Sequence, residues 1–493
     1  MKKHNLRGGT SGDAVLLMLV KLATILLGFA VTRLLSQYLS VHDYGTYSQI
    51  LLVVSTASSL TVLGMMDGVN YFYCSERDVR KRESYIATIF ALQCVIGAVT
   101  GVAVLLLSGA ICAYFENPDV RGLLIFGATL PLLQNLLGML RILLVSVGKA
   151  RMLAVRNLIV SLVRLAVALL VITVVRNVAA ILLTTLALDV LQILFFGTVL
   201  RKNGCRIPVR SVDPRLVRQI LYYCAPMAVF TVVNTLNRDL DKYLIALLTD
   251  TEAVAVYTNA SKQLPFDIIA TSFCTVLLPQ ITRLISDEDR HGAAARYKVF
   301  LEISYISTTI LCCAALAGAP QLMMLLYSEK YISGLVVFCI YILVDMLRFT
   351  NITLILSAAG KTKTLMWLGG GALAMNAALN VVFFDWLGLV GPAVATLVTT
   401  ATLGCVLLCL SAKELDVKLG EFFDGKYLLL FCLESGAAVF LFSRLRQWLA
   451  DQGIHYFLIL LAVCGSYCVV MLLLHGRRLL RNLKQLNRAP GGT

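Results

Sequence analysis

Charge is what this 493-residue chain has least of. Only 14% of its residues are Asp, Glu, Lys or Arg, against about 25% in soluble domains. No polar stretch is long enough to bury a core of its own, which excludes a separate soluble domain. Histidine is scarce, with 5 in the chain, and the 14 cysteines include no CxxC spacing. Those two shortages exclude the common zinc and dithiol motifs. Cys94, Cys274, Cys312, Cys313, Cys405, Cys409, Cys464 and Cys468 sit in apolar segments and read as small buried hydrophobes. The run Gly369-Gly370-Gly371 lacks the Lys-Ser/Thr of a phosphate-cradling loop and lies inside an apolar stretch. With no nucleophile elbow and no haem spacing either, the chain is expected to hold no cofactor and no metal and to perform no covalent chemistry.

What is present is apolar length: 59% of the residues are hydrophobic. A spanning helix needs about 20 apolar residues, and about fourteen such windows follow one another, from 14–38 through 217–248 to 455–475. The expected fold is therefore an all-α polytopic membrane protein of about 14 transmembrane helices. The basic N-terminus leads into an apolar stretch too long for a signal-peptide core, with no small-residue cleavage site, and reads as a retained first helix.

The net charge of +15 invites a nucleic-acid reading, which its placement refuses. With the N-terminus inside, 30 of the 43 Lys and Arg fall in inside segments, 5 in outside loops and 8 within spans. Such a bias is a topology signal. It puts both termini in the cytoplasm and leaves nucleic acid out of the expected partners. The basic tail from Gly476 to Leu486 spaces Leu and cations as an interfacial amphipathic helix does; a plain topology anchor accounts for it equally well.

A repeat is legible at an offset of about 211 residues. Ser40-Val41-His42-Asp43-Tyr44-Gly45-Thr46-Tyr47-Ser48 answers to Thr249-Asp250-Thr251-Glu252-Ala253-Val254-Ala255-Val256-Tyr257-Thr258. Val147-Gly148-Lys149-Ala150-Arg151 answers to Ala359-Gly360-Lys361-Thr362-Lys363, 212 residues on. Two anchors in one order suggest a duplicated six-helix unit: lobes at 1–205 and 206–415, with 416–493 appended as two further helices and a basic tail. Transporters built from repeats place their site at the repeat interface near the midplane.

These residues also carry a family resemblance. Leu26-Leu27-Gly28-Phe29, Leu35-Ser36 to Tyr47 and Leu63-Gly64-Met65 resemble the opening of bacterial polysaccharide-biosynthesis membrane proteins. Asp241-Lys242-Tyr243, Val256 to Lys262 and Leu278-Pro279-Gln280-Ile281 are similar to the middle of that family. Asn376-Ala377-Ala378-Leu379-Asn380 and Gly388 to Thr396 resemble its third block, with Pro392 where the family has a small residue. These are lipid-linked oligosaccharide flippases of O-antigen and capsule type, in the multidrug/oligosaccharidyl-lipid/polysaccharide exporter superfamily. The resemblance covers about residues 15 to 415. It implies two six-helix lobes in a V, as in MATE transporters. It also implies a polyprenyl-pyrophosphate-linked glycan carried from the cytoplasmic to the outer leaflet of the bacterial cytoplasmic membrane by alternating access.

Moving a diphosphate needs cations in a water-accessible cavity, and ionisable groups within spans are costly enough to mark function. The intraspan cations are Lys21, Arg33, Arg141, Arg164, Arg238, Lys242, Lys262 and Arg348. These eight are the candidate substrate-binding residues. Arg offers phosphate a planar fork and Lys a point charge. At about 1.5 Å per residue, Arg164, Lys262 and Arg348 fall near mid-membrane. Arg33 and Arg141, near span ends, have the rival option of snorkelling. Arg164 has no charged neighbour in its own span and reads as unpaired; its repeat equivalent is Asn376. The cluster Arg238-Asp239-Leu240-Asp241-Lys242 puts Arg238 and Lys242 on one face and pairs Asp239 with Lys242 at i, i+3, so it also fits a self-neutralised packing contact. Asp345 and Arg348, likewise i, i+3, fit a structural ion pair.

If a coupling ion, H+ or Na+, is used, an acid must bind it; Asp267 and Asp345 are the candidates. Pro265 precedes Asp267 and marks a broken helix there, and Pro131, Pro226 and Pro279 mark further kinks. The expected partners are a lipid-linked glycan, membrane lipids and that coupling ion. A cation-coupled multidrug antiporter of the same superfamily is the first rival reading, but its cavity should be acidic or apolar. A membrane glycan polymerase is the second, and it needs a larger outer loop than the roughly twelve residues from Arg444 to His455.

Overall fold

The computed structural model describes residues 10–487 except 77, 148, 176, 203, 204 and 206. Every described regular element is helical. In chain order the helices are α1 (Thr10–Tyr38), α2 (Val41–Val62), α3 (Met65–Ser75), α4 (Val79–Leu106), α5 (Ser108–Phe115), α6 (Asp119–Gly127), α7 (Leu130–Ser146), α8 (Ala150–Val174), α9 (Val178–Lys202) and α10 (Val217–Leu248). There follow α11 (Thr251–Ala260), α12 (Ile268–Ser286), α13 (Arg290–Ala317), α14 (Ala319–Tyr327), α15 (Leu335–Leu347), α16 (Leu354–Ala358), α17 (Thr362–Leu387), α18 (Gly391–Glu414), α19 (Gly425–Asp451) and α20 (Tyr456–Asn487).

Helix lies in each of the apolar windows, but the expected number of spans is not what the structure returns. Among the described residues ten runs are long and apolar enough to cross a membrane, or eleven if one bent pair counts as a span. Two physical causes account for much of the difference. Lys363–Glu414 forms a single run of 52 residues although α17 and α18 divide it. Residues 251–286 are interrupted between α11 and α12, so neither piece is a full apolar span.

The breaks follow from particular residues. Between α2 and α3, Leu63 and Gly64 both take positive φ, at 44° and 66°. A Cβ on Gly64 would stand 2.6 Å from the Cys224 carbonyl oxygen, so the Leu63-Gly64-Met65 motif is a place of close backbone approach. Pro131 sits in the first turn of α7, where a missing N–H costs nothing. The chain bends by 53° between Pro214–Ala225 and Met227–Leu248; a proline at 226 has no N–H to donate across that point. α12 runs unbroken through position 279, against the kink expected there. The break before Pro265 is present: α11 ends at Ala260 and helix resumes as a short 3-10 turn, Pro265–Asp267.

Packing groups the chain into two compact units, one up to Asp239 with Ile245–Ala255, the other Leu240–Leu244 with the chain from Val256 on. In the first, α7 lies against α2, α3, α4 and α9, and α1 runs along α8. Its core gathers Met65, Phe72, Tyr85, Leu140 and Phe196. In the second, α13 is the central helix, packed by α12, α15, α19 and α20 around Tyr297, Phe300, Tyr305, Phe431 and Tyr467. The basic tail is no separate interfacial helix: α20 continues through it to Asn487. Arg478 ties it down, bonding Glu302 of α13 and reaching Asp424 at 3.1 Å. That guanidinium holds the Asp424 carboxyl below the usual carboxylate range.

Candidate functional site

Three helices of the first unit bring a set of charges together. α8 contributes Arg156 and Arg164, α7 contributes Arg141, and α9 answers with Asp189 and Gln192. Arg164 Nη2 donates to Asp189 Oδ1 at 2.9 Å. Gln192 Nε2 donates to the same oxygen at 3.1 Å, and Arg156 bonds the Gln192 side-chain oxygen. The Arg156 guanidinium also lies over the Phe196 ring, 4.6 Å from its centroid. Arg141 is within electrostatic reach of both Arg164 and Asp189. Asp189 thus bonds Arg164, with Arg141 and Arg156 within electrostatic reach of it. The other carboxylate oxygen, Asp189 Oδ2, and the Nε atoms of Arg141 and Arg156 are buried with no protein partner.

This arrangement corrects one expectation. Arg164 is paired, and its acid comes from the next helix, where no reading of α8 alone finds it. Arg141 faces the cluster, which the snorkelling option did not foresee. Arg156 was overlooked, its charge counted with the inside loop; it stands on α8 and is 6% exposed. The available signal was a second Arg two turns before Arg164, opposite an Asp-x-x-Gln pair on the following helix.

At the positions that the sequence offset of about 212 residues makes equivalent, the second unit carries amides and hydroxyls. On α17, Asn376 Nδ2 reaches Thr396 Oγ1 at 3.3 Å and Thr399 Oγ1 at 3.4 Å, both on α18. Asn380 Nδ2 donates to the Asn376 side-chain oxygen at 3.2 Å. The helices α7, α8 and α9 thus carry a cationic cluster, and α17 and α18 an amide and hydroxyl network.

A second feature of the first unit is a cavity of about 480 Å³. Its walls carry Ser55, Ser58, Gln134, Asn135, Thr231 and Thr235, together with Asp67 and Arg238. Arg238 Nη2 donates to Ser55 Oγ and to Asp239 Oδ2, each at 2.9 Å. Asp239 is thus held by Arg238, its neighbour in sequence. Gly64, at the break before α3, is part of the same wall. Leu51, Val54, Val62 and Met66 also line it, so the wall is mainly apolar, with hydroxyls, amides, the Asp67 carboxylate and the Asp239-paired Arg238 set into it.

The remaining candidates fall elsewhere. Arg348 pairs with Asp345 at 2.8 Å in the second unit. Asp345 Oδ2 also accepts the Leu264 N–H at 2.9 Å, so the carboxylate caps the chain break before Pro265. Asp267 is half-buried beside that break and within electrostatic reach of Asp345. Lys262 is exposed and within reach of Lys242. Asp241 is buried and accepts hydrogen bonds from Tyr257 at 2.9 Å and from Tyr341. Arg33 is half-buried on α1. The Lys21 side chain lies outside the described residues. Among the described residues no group of three or more His, Cys, Asp or Glu is placed to hold a metal.

Comparison with known proteins supplies the family. A family model described as polysaccharide biosynthesis protein matches residues 31–336, more than half of the chain. A probable lipid II flippase MurJ from Rickettsia prowazekii (strain Madrid E) is 26% identical over 101 residues, 20% of this chain and 20% of that one. The chain thus matches about a fifth of that relative's length. Among solved structures, an inward closed conformation of the lipid II flippase MurJ aligns over 94% of this chain and 100% of its own, with a TM-score of 0.71 at 15% identity. An inward-facing multidrug resistance MATE family transporter of the MOP superfamily aligns over 79% and 95%, with a TM-score of 0.62 at 15% identity. At that identity the two structures speak to the fold, which is that of multi-pass membrane transporters.

Proposed function

Because the chain belongs to the polysaccharide biosynthesis protein family, we propose that it is a flippase for a lipid-linked oligosaccharide. The cargo is a polyprenyl-pyrophosphate glycan, moved from the cytoplasmic to the outer leaflet of the bacterial cytoplasmic membrane. Movement is by alternating access, with both termini in the cytoplasm and no covalent step. In this reading residues 1–205 and 206–415 are the two six-helix lobes and 416–493 is an addition.

The observation that carries the reading is the cluster of Arg141, Arg156 and Arg164 around the single Asp189. Three guanidinium groups and one carboxylate leave an excess of two positive charges within membrane-spanning helices. In a low dielectric such an excess costs free energy unless an anion visits it. A pyrophosphate supplies that anion, and guanidinium forks match its oxygens bidentately. The hydroxyls and amides set into the largely apolar cavity beside Arg238 offer hydrogen-bond partners to the sugars. Lys21, Arg33, Lys242, Lys262 and Arg348 remain proposed further contacts along the route, and Asp267 and Asp345 remain the proposed acids for H+ or Na+ coupling. Cationic drugs, the cargo of the antiporter reading, would meet repulsion at the arginine cluster.

Cells lacking the protein and complemented with Arg156→Gln or Arg164→Gln test this. Surface glycan should be lost while membrane levels of the protein stay normal. Wild-type surface glycan in both variants would remove the arginine cluster from the account.

A further inference from the structure

α20 is longer than a bilayer core requires. Its 32 residues span about 48 Å at 1.5 Å each, against about 30 Å of hydrocarbon. Its apolar part carries outward-facing Leu472, Leu473 and Leu474, the second of these 76% exposed. From Arg477 on, the same helix is basic. The last three turns therefore stand at headgroup level, beyond the hydrocarbon.

At that level a cavity of about 860 Å³ opens between α13 and α20. Its walls come from one face of each helix. α13 presents Ala295, Lys298, Val299 and Glu302, spaced i, i+3, i+4 and i+7. α20 presents Arg477, Arg481, Lys484 and Gln485, spaced i, i+4, i+7 and i+8. Four cations thus line the space. The one carboxylate in the wall, Glu302, is bonded to Arg478, which also reaches Asp424; Asp424 is within electrostatic reach of Lys298, and Arg477, Arg481 and Lys484 carry the excess charge. Asn482 completes the wall, is 3% exposed, and its Nδ2 has no hydrogen-bond partner. A buried donor without an acceptor is uncommon, and beside four cations it points to an anion with oxygen acceptors.

We propose that this cavity binds the phosphate of an anionic phospholipid headgroup. Phosphate oxygens accept from Arg and Lys in charge-assisted bonds, and the acyl chains lie along the exposed leucines of α20 one to two turns away. Basic pockets between membrane helices on the positive side select such lipids. The site is separate from the arginine cluster of the first unit and needs no glycan cargo. The lipid would brace the end of α20 against α13, the central helix of its unit.

The test uses purified full-length protein titrated with dioctanoyl phosphatidylglycerol, dioctanoyl phosphatidylcholine and soluble glycerol 3-phosphate. Phosphatidylglycerol should bind at least about tenfold more tightly than phosphatidylcholine. The double variant Arg481→Gln/Lys484→Gln should lose about thirtyfold in phosphatidylglycerol affinity, with phosphatidylcholine unchanged. Arg477, Arg481 and Lys484 are exposed, so the variant keeps its fold. The control Arg121→Gln/Arg444→Gln removes the same charge from exposed helix positions on α6 and α19 and should bind as wild type. Equal affinity for the two lipids, or unchanged phosphatidylglycerol binding in Arg481→Gln/Lys484→Gln, overturns the site. Glycerol 3-phosphate binding as tightly as phosphatidylglycerol overturns the lipid assignment and leaves a soluble anion. The cargo is absent from all arms, so the outcome is independent of the flippase reading.

Discussion

The arginines of the first unit differ in what they have to lose. Arg164 is already spent in part on Asp189, at 2.9 Å, whereas Arg156 is buried with Gln192 as a neutral partner. Its bonds to Gln192 and Asn157 leave its charge without a bonded carboxylate, and we expect it to matter more. In Arg156→Lys the charge stays and the fork is lost. Losing one charge-assisted bond of about 1.5–3 kcal/mol corresponds to about a tenfold to hundredfold drop in cargo affinity, measured with a pyrophosphate-bearing lipid. An Arg156→Lys protein with unchanged affinity would show that point charge suffices. At another residue the concern is stability. Gly45 lies against the first turn of α11: a Cβ there would meet the Thr251 carbonyl oxygen at 2.2 Å. Gln49 Nε2 reaches Thr251 Oγ1 at 3.3 Å, and Asn117 Nδ2 donates to Gln49 at 2.9 Å and Thr46 at 2.8 Å. Gly45→Ala should destabilise by about 1–3 kcal/mol through forced backbone displacement, seen as a lowered midpoint of thermal unfolding.

The helices themselves were largely legible, because an apolar run of membrane length admits little else. Of the expected interruptions, the one before Pro265 is real, because proline acts through the backbone; the break at Leu63-Gly64, set by two positive φ angles, was not foreseen. Pro279 marks none, since position 279 lies within the continuous α12. Pairing between helices was the hidden part. Nothing local joins Arg164 to Asp189, or the two tyrosines to Asp241, because those contacts depend on which helices become neighbours. Arg156 was misread for the related reason that α8 begins at Ala150, directly after the basic turn, so a buried cation is indistinguishable from a loop cation. Two element-scale predictions follow from the breaks. Asp345 both pairs with Arg348 and caps the break at Leu264. Asp345→Ala should therefore cost about 3–5 kcal/mol, the range for removing one partner of a buried pair, read by thermal unfolding. Pro226→Ala restores an N–H at the 53° bend. A proline inside a helix costs about 3 kcal/mol, so the midpoint of unfolding should not fall, while export should drop if the bend serves movement. Wild-type export by Pro226→Ala would make the bend a packing feature only.

For the whole molecule, the chain belongs to the polysaccharide biosynthesis protein family and has a multi-pass helical fold like that of the lipid II flippase and MATE transporter structures. Within that class the sign of the charge distinguishes cargo. The helices α7, α8 and α9 bring three arginines to one aspartate, and α17 and α18 carry an amide and hydroxyl network. That asymmetry is the basis for assigning an anionic lipid-linked glycan over a cationic drug. The most direct measurement is leaflet-resolved detection of the lipid-linked glycan in cells depleted of this protein. The account predicts accumulation on the cytoplasmic leaflet, reversed by the wild-type chain and not by Arg156→Gln or Arg164→Gln. An unchanged leaflet distribution, together with altered sensitivity to cationic drugs, would contradict it and favour an antiporter.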